Sequence, residues 1–326
     1  MAAGRVTSRS GSNRRGYAIG ALDKIACSLF TLCENPKVPP GPPNQRSPEL
    51  TYIQANGLRL AVWDWPGENP AVIFTHGSGF HGRCWDEVIR RLPNRRALAI
   101  DARGHGRSDK PEPPYHWPLF AADLREIVSQ LGITGGIGVG HSMGGHGITA
   151  VAAQRPETFS SLLLIDPTIW EPGAYGTKPL NTFIVRRRRD RWSSPEAMFE
   201  SFSGRPPFER WNPPVLRDYC EYGLLLHDGE YWVACPPHIE ASAHECAKET
   251  EAFLHPVIPS ITCPVTVLRA GTSARRFFNP EPSPTDPRLA SCFPNGRDVF
   301  LKEQSHFIPM EVPELVAEYI CGMLSR

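Results

Sequence analysis

Several features that would place a protein in a specialised class are missing from this chain of 326 residues. Its nine cysteines include no Cys-x-x-Cys pair, and an odd number in so long a chain argues against a disulfide framework and a structural zinc site. No apolar run approaches the roughly 18 residues that a membrane-spanning helix requires. A formal net charge of +1 provides no overall attraction for nucleic acid or an anionic membrane. We therefore expect a soluble protein of a reducing compartment.

The first part of the chain differs in composition from the rest. Arg5, Arg9, Arg14 and Arg15 occur among several serines, and no acidic residue precedes Asp23. This composition resembles a mitochondrial transit peptide, and it is also found in basic disordered tails. We predict that this segment is a disordered basic tail and that the protein is cytoplasmic. The alternative is a mitochondrial location, with the segment acting as a transit peptide.

Prolines dominate the end of the same segment. Six of them lie between Pro36 and Pro48, and no helix can cross such a stretch because proline lacks the amide hydrogen that a helix requires. Residues 1–48 are therefore predicted to form a disordered basic and proline-rich extension, and the folded domain is predicted to begin near Leu50.

The most informative motif is Gly-His-Ser-Met-Gly at residues 140–144, which is followed by another glycine. The strand-like run Gly136–Val139 precedes the motif, and the helix-like run His146–Gln154 follows it. A sharp strand-to-helix turn of this kind is a nucleophile elbow, in which flanking glycines keep side chains away from a strained central residue. The motif predicts a serine hydrolase with Ser142 as nucleophile.

Beyond Leu50, apolar strand-like runs alternate with helical patterns, which is typical of a mostly parallel sheet with helices on both faces. The predicted strands are Leu58–Trp65, Ala71–Thr75, Ala97–Ile100, Ile137–Val139, Leu162–Ile165, Val265–Leu268 and Asp298–Leu301. The predicted helices are Trp85–Leu92, Leu119–Leu131, His146–Gln154 and Pro313–Leu324. The strand pattern disappears after Leu162–Ile165 and resumes at Val265–Leu268. This interruption predicts a core of residues 49–166 and 262–326 with an insertion at residues 167–261.

Two further motifs, His76-Gly77 and the segment Asp101–Ser108, follow predicted strands. With the elbow and the order of elements, they resemble the α/β-hydrolase superfamily, in its serine esterase and lipase branch, from about residue 50 onward. The resemblance implies the α/β-hydrolase fold: a mostly parallel central sheet of about eight strands, helices on both faces, and an inserted helical cap. Within Asp101–Asp109, we interpret Asp101, Arg103 and Asp109 as structural hydrogen-bonding partners.

The resemblance also implies partners for Ser142, because a serine hydroxyl needs a base to remove its proton and an acid to orient the base. His306 lies between the last strand and the last helix, where the superfamily has its base. Most members of the superfamily have the acid in the loop after the strand that corresponds to Val265–Leu268. In this chain, the residues that directly follow that strand include no carboxylate. Asp166, after the preceding strand, matches the position used by a second branch that includes haloalkane dehalogenases. Asp286 and Glu281, in a proline-rich loop, are the alternatives.

Acyl transfer passes through a tetrahedral oxyanion, which backbone N–H groups stabilise. The family draws one of these groups from the residue after the nucleophile, here Met143. The other comes from the loop after the third strand, and by position we assign it to Ser78.

The insertion suggests an apolar or aromatic substrate, since its many aromatic residues can roof a pocket as well as attach the insertion to the core. These residues are Trp170, Tyr175, Phe183, Trp192, Phe199, Phe202, Phe208, Trp211, Tyr219, Tyr222, Tyr231 and Trp232. The insertion also contains the run Arg186–Arg189, followed by Arg191. We interpret this run as the solvated face of an amphipathic segment, and binding of a carboxylated substrate or an anionic surface is the alternative.

Taken together, these residues predict hydrolysis of a small carboxylic ester or lactone through an acyl-enzyme on Ser142. No metal, organic cofactor or nucleic acid is required. The same groups also suit carbon–carbon bond hydrolysis or acyl transfer to an alcohol. Haloalkane dehalogenases and epoxide hydrolases are disfavoured because they have aspartate in place of Ser142. A non-catalytic, ligand-binding relative is the alternative from another class. The oligomeric state, the acyl group and the leaving group are not predicted.

Overall fold

The computed structural model describes residues 46–271 and 283–325, together with Met1. Nearly all of the predicted extension, residues 1–48, lies outside the described residues, and so does the alternative acid Glu281. The expectations for both therefore stay predictions.

The described residues contain two β-sheets. The strands are β1 Glu49–Ala55, β2 Leu58–Trp65, β3 Glu68–Thr75, β4 Arg95–Ile100, β5 Gly136–His141, β6 Phe159–Ile165, β7 Arg191–Trp192, β8 Leu224–His227, β9 Glu230–Val233, β10 Val265–Ala270 and β11 Gly296–Leu301. The larger sheet has eight strands in the order β1-β2-β4-β3-β5-β6-β10-β11. Its β1–β2 and β2–β4 pairs are antiparallel and the others are parallel. This confirms the mostly parallel sheet predicted from the sequence.

Helices cover both faces of the eight-stranded sheet. The α-helices of the described residues are α1 Asp86–Ile89, α2 Trp117–Gln130, α3 Met143–Gln154, α4 Phe183–Arg186, α5 Pro195–Phe202, α6 Pro213–Tyr222, α7 Pro237–Glu245, α8 Ile308–Glu311 and α9 Pro313–Leu324. Side chains alternate across a strand, so Ile73 packs with α2 and α3, while Val72 and Phe74 pack with α1 and α9. Within the described residues, no helix is both long enough and apolar enough to cross a membrane.

Two local predictions differ from the structure. The predicted helix over residues 85–92 is a single α-helical turn, α1, preceded by a 3-10 turn over Gly82–Trp85. The segment between β6 and β10, expected to be helical, also contains the three-stranded antiparallel sheet β7-β9-β8. Asp228 and Gly229 join β8 to β9 with φ angles of 49° and 80°. An Asp-Gly pair with positive φ is a signature of a tight hairpin, so the sequence did contain a signal for these strands.

The register of the parallel strands brings two predicted site residues to the same edge. His141 at the end of β5 pairs with Ile165 at the end of β6. The next residue of each strand, Ser142 and Asp166, therefore leaves the sheet at its carboxyl edge. Parallel strands of an open α/β sheet commonly present ligand sites at this edge.

Candidate active site

Ser142 occupies the sharp turn between β5 and α3. Its φ of 55° and ψ of −120° lie outside the regions that non-glycine residues ordinarily adopt. The flanking glycines are required sterically. A Cβ atom on Gly140 would lie 2.6 Å from the Cα of Gly145, and one on Gly144 would lie 2.3 Å from the carbonyl oxygen of Thr75. The sequence motif thus folds as a strained elbow that presents the serine hydroxyl at the sheet edge.

His306 lies in the loop between β11 and α8, beside Ser142. Its Nε2 atom is 3.0 Å from Ser142 Oγ. His141, which precedes the serine, is buried behind the elbow, and its Nε2 lies 2.7 Å from the carbonyl oxygen of His306. Burial, with a smaller contribution from the neighbouring His306, lowers the pKa of His141 to about 3. His141 is therefore neutral, and a hydrogen bond from it would hold the backbone of His306 in place.

Asp166 completes a chain of three side chains. Its Oδ2 lies 2.7 Å from His306 Nδ1. Asp166 is fully buried, which by itself would raise its pKa. The hydrogen bonds from His306, Ser283 and the Ala270 amide outweigh burial, and the pKa of Asp166 is lowered. The carboxylate is therefore ionised at neutral pH.

The end of β10 and the segment that follows it supply hydrogen-bond donors to this carboxylate. Asp166 Oδ1 accepts hydrogen bonds from the Ala270 amide at 2.9 Å, the Ser283 hydroxyl at 2.5 Å and the Thr285 hydroxyl at 3.2 Å. Sequence reasoning missed Ser283 and Thr285 because isolated hydroxyl residues in a loop form no recognisable pattern. Their positions show how the structure provides hydrogen bonds to a buried carboxylate just after β6.

The alternative acid Asp286 lies in a different hydrogen-bonded environment. One of its oxygens is 3.2 Å from His255 Nε2, and the other accepts a hydrogen bond from the Arg288 amide at 2.9 Å. Within the described residues, the carboxylate in contact with His306 is that of Asp166. The geometry thus favours Asp166 over Asp286.

The two backbone groups assigned to the oxyanion are the amides of Met143, which follows Ser142, and Ser78, in the loop after β3. Met143 is the first residue of α3, and the first amides of a helix have no partner within the helix. The loop after β3 lies close to the serine, since a Cβ atom on Gly77 would lie 3.1 Å from Ser142 Cβ. Among the described residues, no group accepts a hydrogen bond from the amides of Met143 or Ser78. Both amides are thus available to a ligand.

His76 ties this loop to the segment that follows β4. Its Nε2 accepts a hydrogen bond from the Ala102 amide at 3.0 Å, so its Nδ1 carries the proton and donates to the Gly77 carbonyl at 2.7 Å. Burial lowers the pKa of His76, which keeps the ring neutral. Asp101 in the same segment accepts from the amides of Gly82 and Arg107 at 2.6 and 2.8 Å. These contacts support the structural interpretation of this segment.

An aromatic cluster from the inserted segment and the core adjoins His306. The ring centres of Phe80 and Trp211 are 5.8 Å apart, those of Trp211 and Phe307 are 5.5 Å apart, and those of His306 and Phe307 are 5.8 Å apart. A cavity is lined by Thr75, Asp101 and Met143, but neither Ser142 nor His306 lines it. We therefore assign no substrate to that cavity.

Most of the arginine run lies at the surface, where its members form exposed ion pairs or stack on aromatic rings. Arg188 differs because its Nη1 lies 2.6 Å from Oε2 of the buried Glu240. Glu240 in turn packs against the loop that carries Ser78, since a Cβ atom on Gly79 would lie 2.8 Å from Glu240 Oε1. The charge of Arg188 is thus already compensated, which favours an internal role over recognition of a carboxylated substrate.

In the part of the chain that the structure describes, one group of potential metal ligands occurs outside the site. The ligand atoms of His116, Cys246 and Glu249 lie within 4.8 Å of one another. His116 and Glu249 already form a pair at 2.7 Å. None of the three is near Ser142 in sequence or bonded to it, and we assign them no catalytic role.

The chain is similar to known proteins in both sequence and fold. The model of the alpha/beta hydrolase family matches residues 72–319. The chain is 27% identical to Lipase LipV of Mycobacterium tuberculosis over 82% of this chain and 98% of the lipase. It is 35% identical to 2-(acetamidomethylene)succinate hydrolase of Mesorhizobium japonicum over 64% of this chain and 72% of that protein.

A solved structure extends the likeness to the fold. The crystal structure of E-2-(acetamidomethylene)succinate hydrolase matches with a TM-score of 0.68 at 21% sequence identity, covering 86% of this chain and all of that chain. This likeness bears on fold alone, whereas the family model spans most of the sheet, the elbow and His306. The chain therefore belongs to the alpha/beta hydrolase family of enzymes.

Proposed function

We propose that this enzyme hydrolyses a carboxylic ester or a lactone through an acyl-enzyme on Ser142. The observation that carries the proposal is the continuous chain of contacts from Ser142 Oγ to His306 Nε2 at 3.0 Å and from His306 Nδ1 to Asp166 Oδ2 at 2.7 Å. This order provides a nucleophile, a base within hydrogen-bond distance, and an acid that orients the base.

In the first step, Ser142 Oγ attacks the carbonyl carbon of the substrate while its proton passes to His306 Nε2. The Asp166 carboxylate stabilises the imidazolium that forms and remains ionised itself. The carbonyl oxygen acquires the negative charge, and the amides of Ser78 and Met143 donate to it. His306 then gives its proton to the leaving alcohol as the bond to that alcohol breaks.

In the second step, water attacks the acyl-enzyme and gives a proton to His306 Nε2. The second tetrahedral intermediate collapses, the bond between the acyl carbon and Ser142 Oγ breaks, and His306 returns its proton to Oγ. The products are a carboxylic acid and free enzyme. Every proton is carried by His306, so these steps use neither a metal nor an organic cofactor.

The segment of residues 167–261 acts in this proposal as a cap on a core formed by residues 49–166 and 262–326. The contacts of Trp211 with Phe80 and Phe307 support this role, because they bring an aromatic wall next to His306. Such a wall favours a small substrate with an apolar or aromatic group. The names of the two relatives, a lipase and a succinate-derivative hydrolase, are compatible with hydrolysis and leave the acyl group open.

Labelling with a fluorophosphonate tests the reaction class directly. We expect stoichiometric phosphonylation of Ser142, detected by intact mass and peptide mapping, together with hydrolysis of a short-chain aryl ester. The Ser142→Ala variant is the control and should show neither. A folded wild-type protein whose Ser142 does not react would overturn the enzymatic proposal and favour the ligand-binding alternative. A labelled protein that cleaves no ester would favour carbon–carbon hydrolysis or acyl transfer.

A further inference from the structure

Thr168 is the second polar side chain in contact with the proposed nucleophile. Its Oγ1 lies 3.1 Å from Ser142 Oγ, and its side chain is buried. Sequence reasoning did not identify Thr168, because no motif marks a threonine two positions after an aspartate. The contact arises only when the loop after β6 folds back toward the elbow.

The direction of this hydrogen bond follows from the other contacts. Nε2 of His306 faces Ser142 Oγ, while Nδ1 of the same ring faces the ionised Asp166 and carries the proton. The serine hydroxyl therefore donates to Nε2, and the lone pairs of its oxygen remain free. Among the described residues, Ser142 Oγ is the hydrogen-bond partner of the Thr168 hydroxyl. Thr168 is thus the donor.

We propose that Thr168 is a further catalytic residue, which donates a hydrogen bond to Ser142 Oγ when that oxygen gains negative charge. The inference rests on the proposed function. During acylation, Oγ loses its proton to His306 before its bond to the acyl carbon is complete. During deacylation, Oγ takes the electron pair of the breaking bond before His306 returns the proton. No proton leaves Thr168 in either step.

The contribution is larger in the transition state than in the resting enzyme. A hydrogen bond to a charged oxygen is roughly twice as strong as one to a neutral oxygen. The same hydroxyl therefore stabilises the partly charged Oγ more than the neutral serine, which lowers the barrier.

The backbone around Thr168 keeps its hydroxyl in position before the reaction. The Thr168 amide donates to the Ser142 carbonyl at 3.0 Å. The carbonyl of Pro167 accepts a hydrogen bond from the Thr285 hydroxyl at 2.7 Å. The loop is thus attached both to the elbow and to the residues that hold Asp166, so little reorganisation is needed during reaction.

Three variants test the inference. Thr168→Val preserves the shape and removes the hydroxyl, Thr168→Ala removes hydroxyl and methyl together, and Thr168→Ser preserves the hydroxyl. The second-order rate of fluorophosphonate labelling measures attack by Oγ alone, and kcat and KM for a short-chain aryl ester measure turnover. Tm values report folding.

We expect Thr168→Val and Thr168→Ala to lower both the labelling rate and kcat about tenfold at unchanged KM, since one donor to a partly charged oxygen contributes less than a full oxyanion donor. Thr168→Ser should stay within about twofold of wild type in both the labelling rate and kcat, because it preserves the hydroxyl donor. If one of the two hydroxyl-free variants does not fold, the other still decides. Labelling of a hydroxyl-free variant at the wild-type rate, a change in KM alone, or a serine variant as slow as the valine variant would overturn the inference. If wild-type protein is not labelled, the proposed function fails and this inference fails with it.

Discussion

At the scale of single residues, Asp166 shows how surroundings define a proposed catalytic acid. It follows β6 with a φ of 40° and accepts hydrogen bonds at both carboxylate oxygens. Burial disfavours the ionised form of Asp166, but the hydrogen bonds that its carboxylate accepts outweigh burial and lower its pKa. An ionised and oriented carboxylate is what a neutral imidazole needs to accept a proton from serine.

This leads to a prediction that separates the two candidate acids. Asp166→Asn should lower kcat for an aryl ester by roughly 10³- to 10⁴-fold, because the amide no longer stabilises the imidazolium or the required tautomer. The matched control is Asp286→Asn, because Asp286 is also buried but contacts His255. The kcat of this variant should stay within a few-fold of wild type. Steady-state kinetics at pH 7.5, with Tm values for both variants, provide the measurement. The opposite order of effects would show that Asp286 is the acid.

Among the elements, α6 of the inserted segment is attached to the core through partly buried charges. Arg90 Nη2, just after α1, lies 3.5 Å from Asp86 on one side and 3.5 Å from Asp218 of α6 on the other. Arg83 also pairs with Asp86 at 2.6 Å. Burial first, and then the Asp86 charge, raise the pKa of Asp218 to about 7, although Arg90 and Arg83 oppose the rise. At Asp218, burial and the neighbouring carboxylate thus outweigh the two arginines.

The sign of the resulting pH effect follows from linkage. Asp218 holds its proton in the folded protein up to about pH 7 but loses it near pH 4 when unfolded. Between these values the folded state binds more protons, so the Asp218 contribution to stability is present below the lower pKa and declines as pH rises toward the higher one.

We therefore expect Asp218→Asn to stabilise the protein, because asparagine carries no charge at any pH. Its Tm should exceed that of wild type by a few degrees at pH 8. The difference should shrink as pH falls from 7 to 4, as measured by thermal unfolding at several pH values. Asp228→Asn, in the exposed β8–β9 turn, is the control and should show no such trend. A Tm difference that is independent of pH would contradict the linkage argument.

At the scale of the whole molecule, β1 forms the antiparallel edge of the sheet. It pairs with β2 along its full length, from Glu49 opposite Asp64 to Ala55 opposite Leu58. Just before it, the Arg46 guanidinium donates to the carbonyls of Pro66 and Arg95 at 2.6 and 2.7 Å. The folded domain therefore includes residues slightly before the predicted start at Leu50.

Two truncations test this boundary. A chain that starts at Arg46 should retain the Tm and the aryl-esterase kcat of the full chain, because it preserves β1 and the Arg46 contacts. A chain that starts at Asn56 lacks β1 and exposes the edge of β2, so its Tm should fall by several degrees or more. Loss of stability in the longer of the two chains would show that the preceding residues belong to the folded domain.

Much of the fold could be predicted because its signals are local. Apolar periodicity in the core predicts most of the strands of the eight-stranded sheet, and the glycines around Ser142 predict the elbow. The predictions were weaker in the inserted segment, where β7 has only two residues and an Asp-Gly turn was the main signal for the β8–β9 hairpin. Short elements carry too few residues to establish a period, and tertiary contacts stabilise them.

Patterns along the chain were enough to predict the alternating α/β arrangement, the elbow and the order of Ser142, Asp166 and His306. The folded arrangement was needed to establish which carboxylate contacts His306, that Ser283 and Thr285 support it, and that Thr168 contacts the proposed nucleophile. The difference arises from separation along the chain. Periodicity and turn motifs extend over a few residues, whereas the contacts of Asp166 with His306, Ser283 and Thr285 join segments more than a hundred residues apart. The contact of Thr168 with Ser142 depends on the register of the adjacent strands β5 and β6.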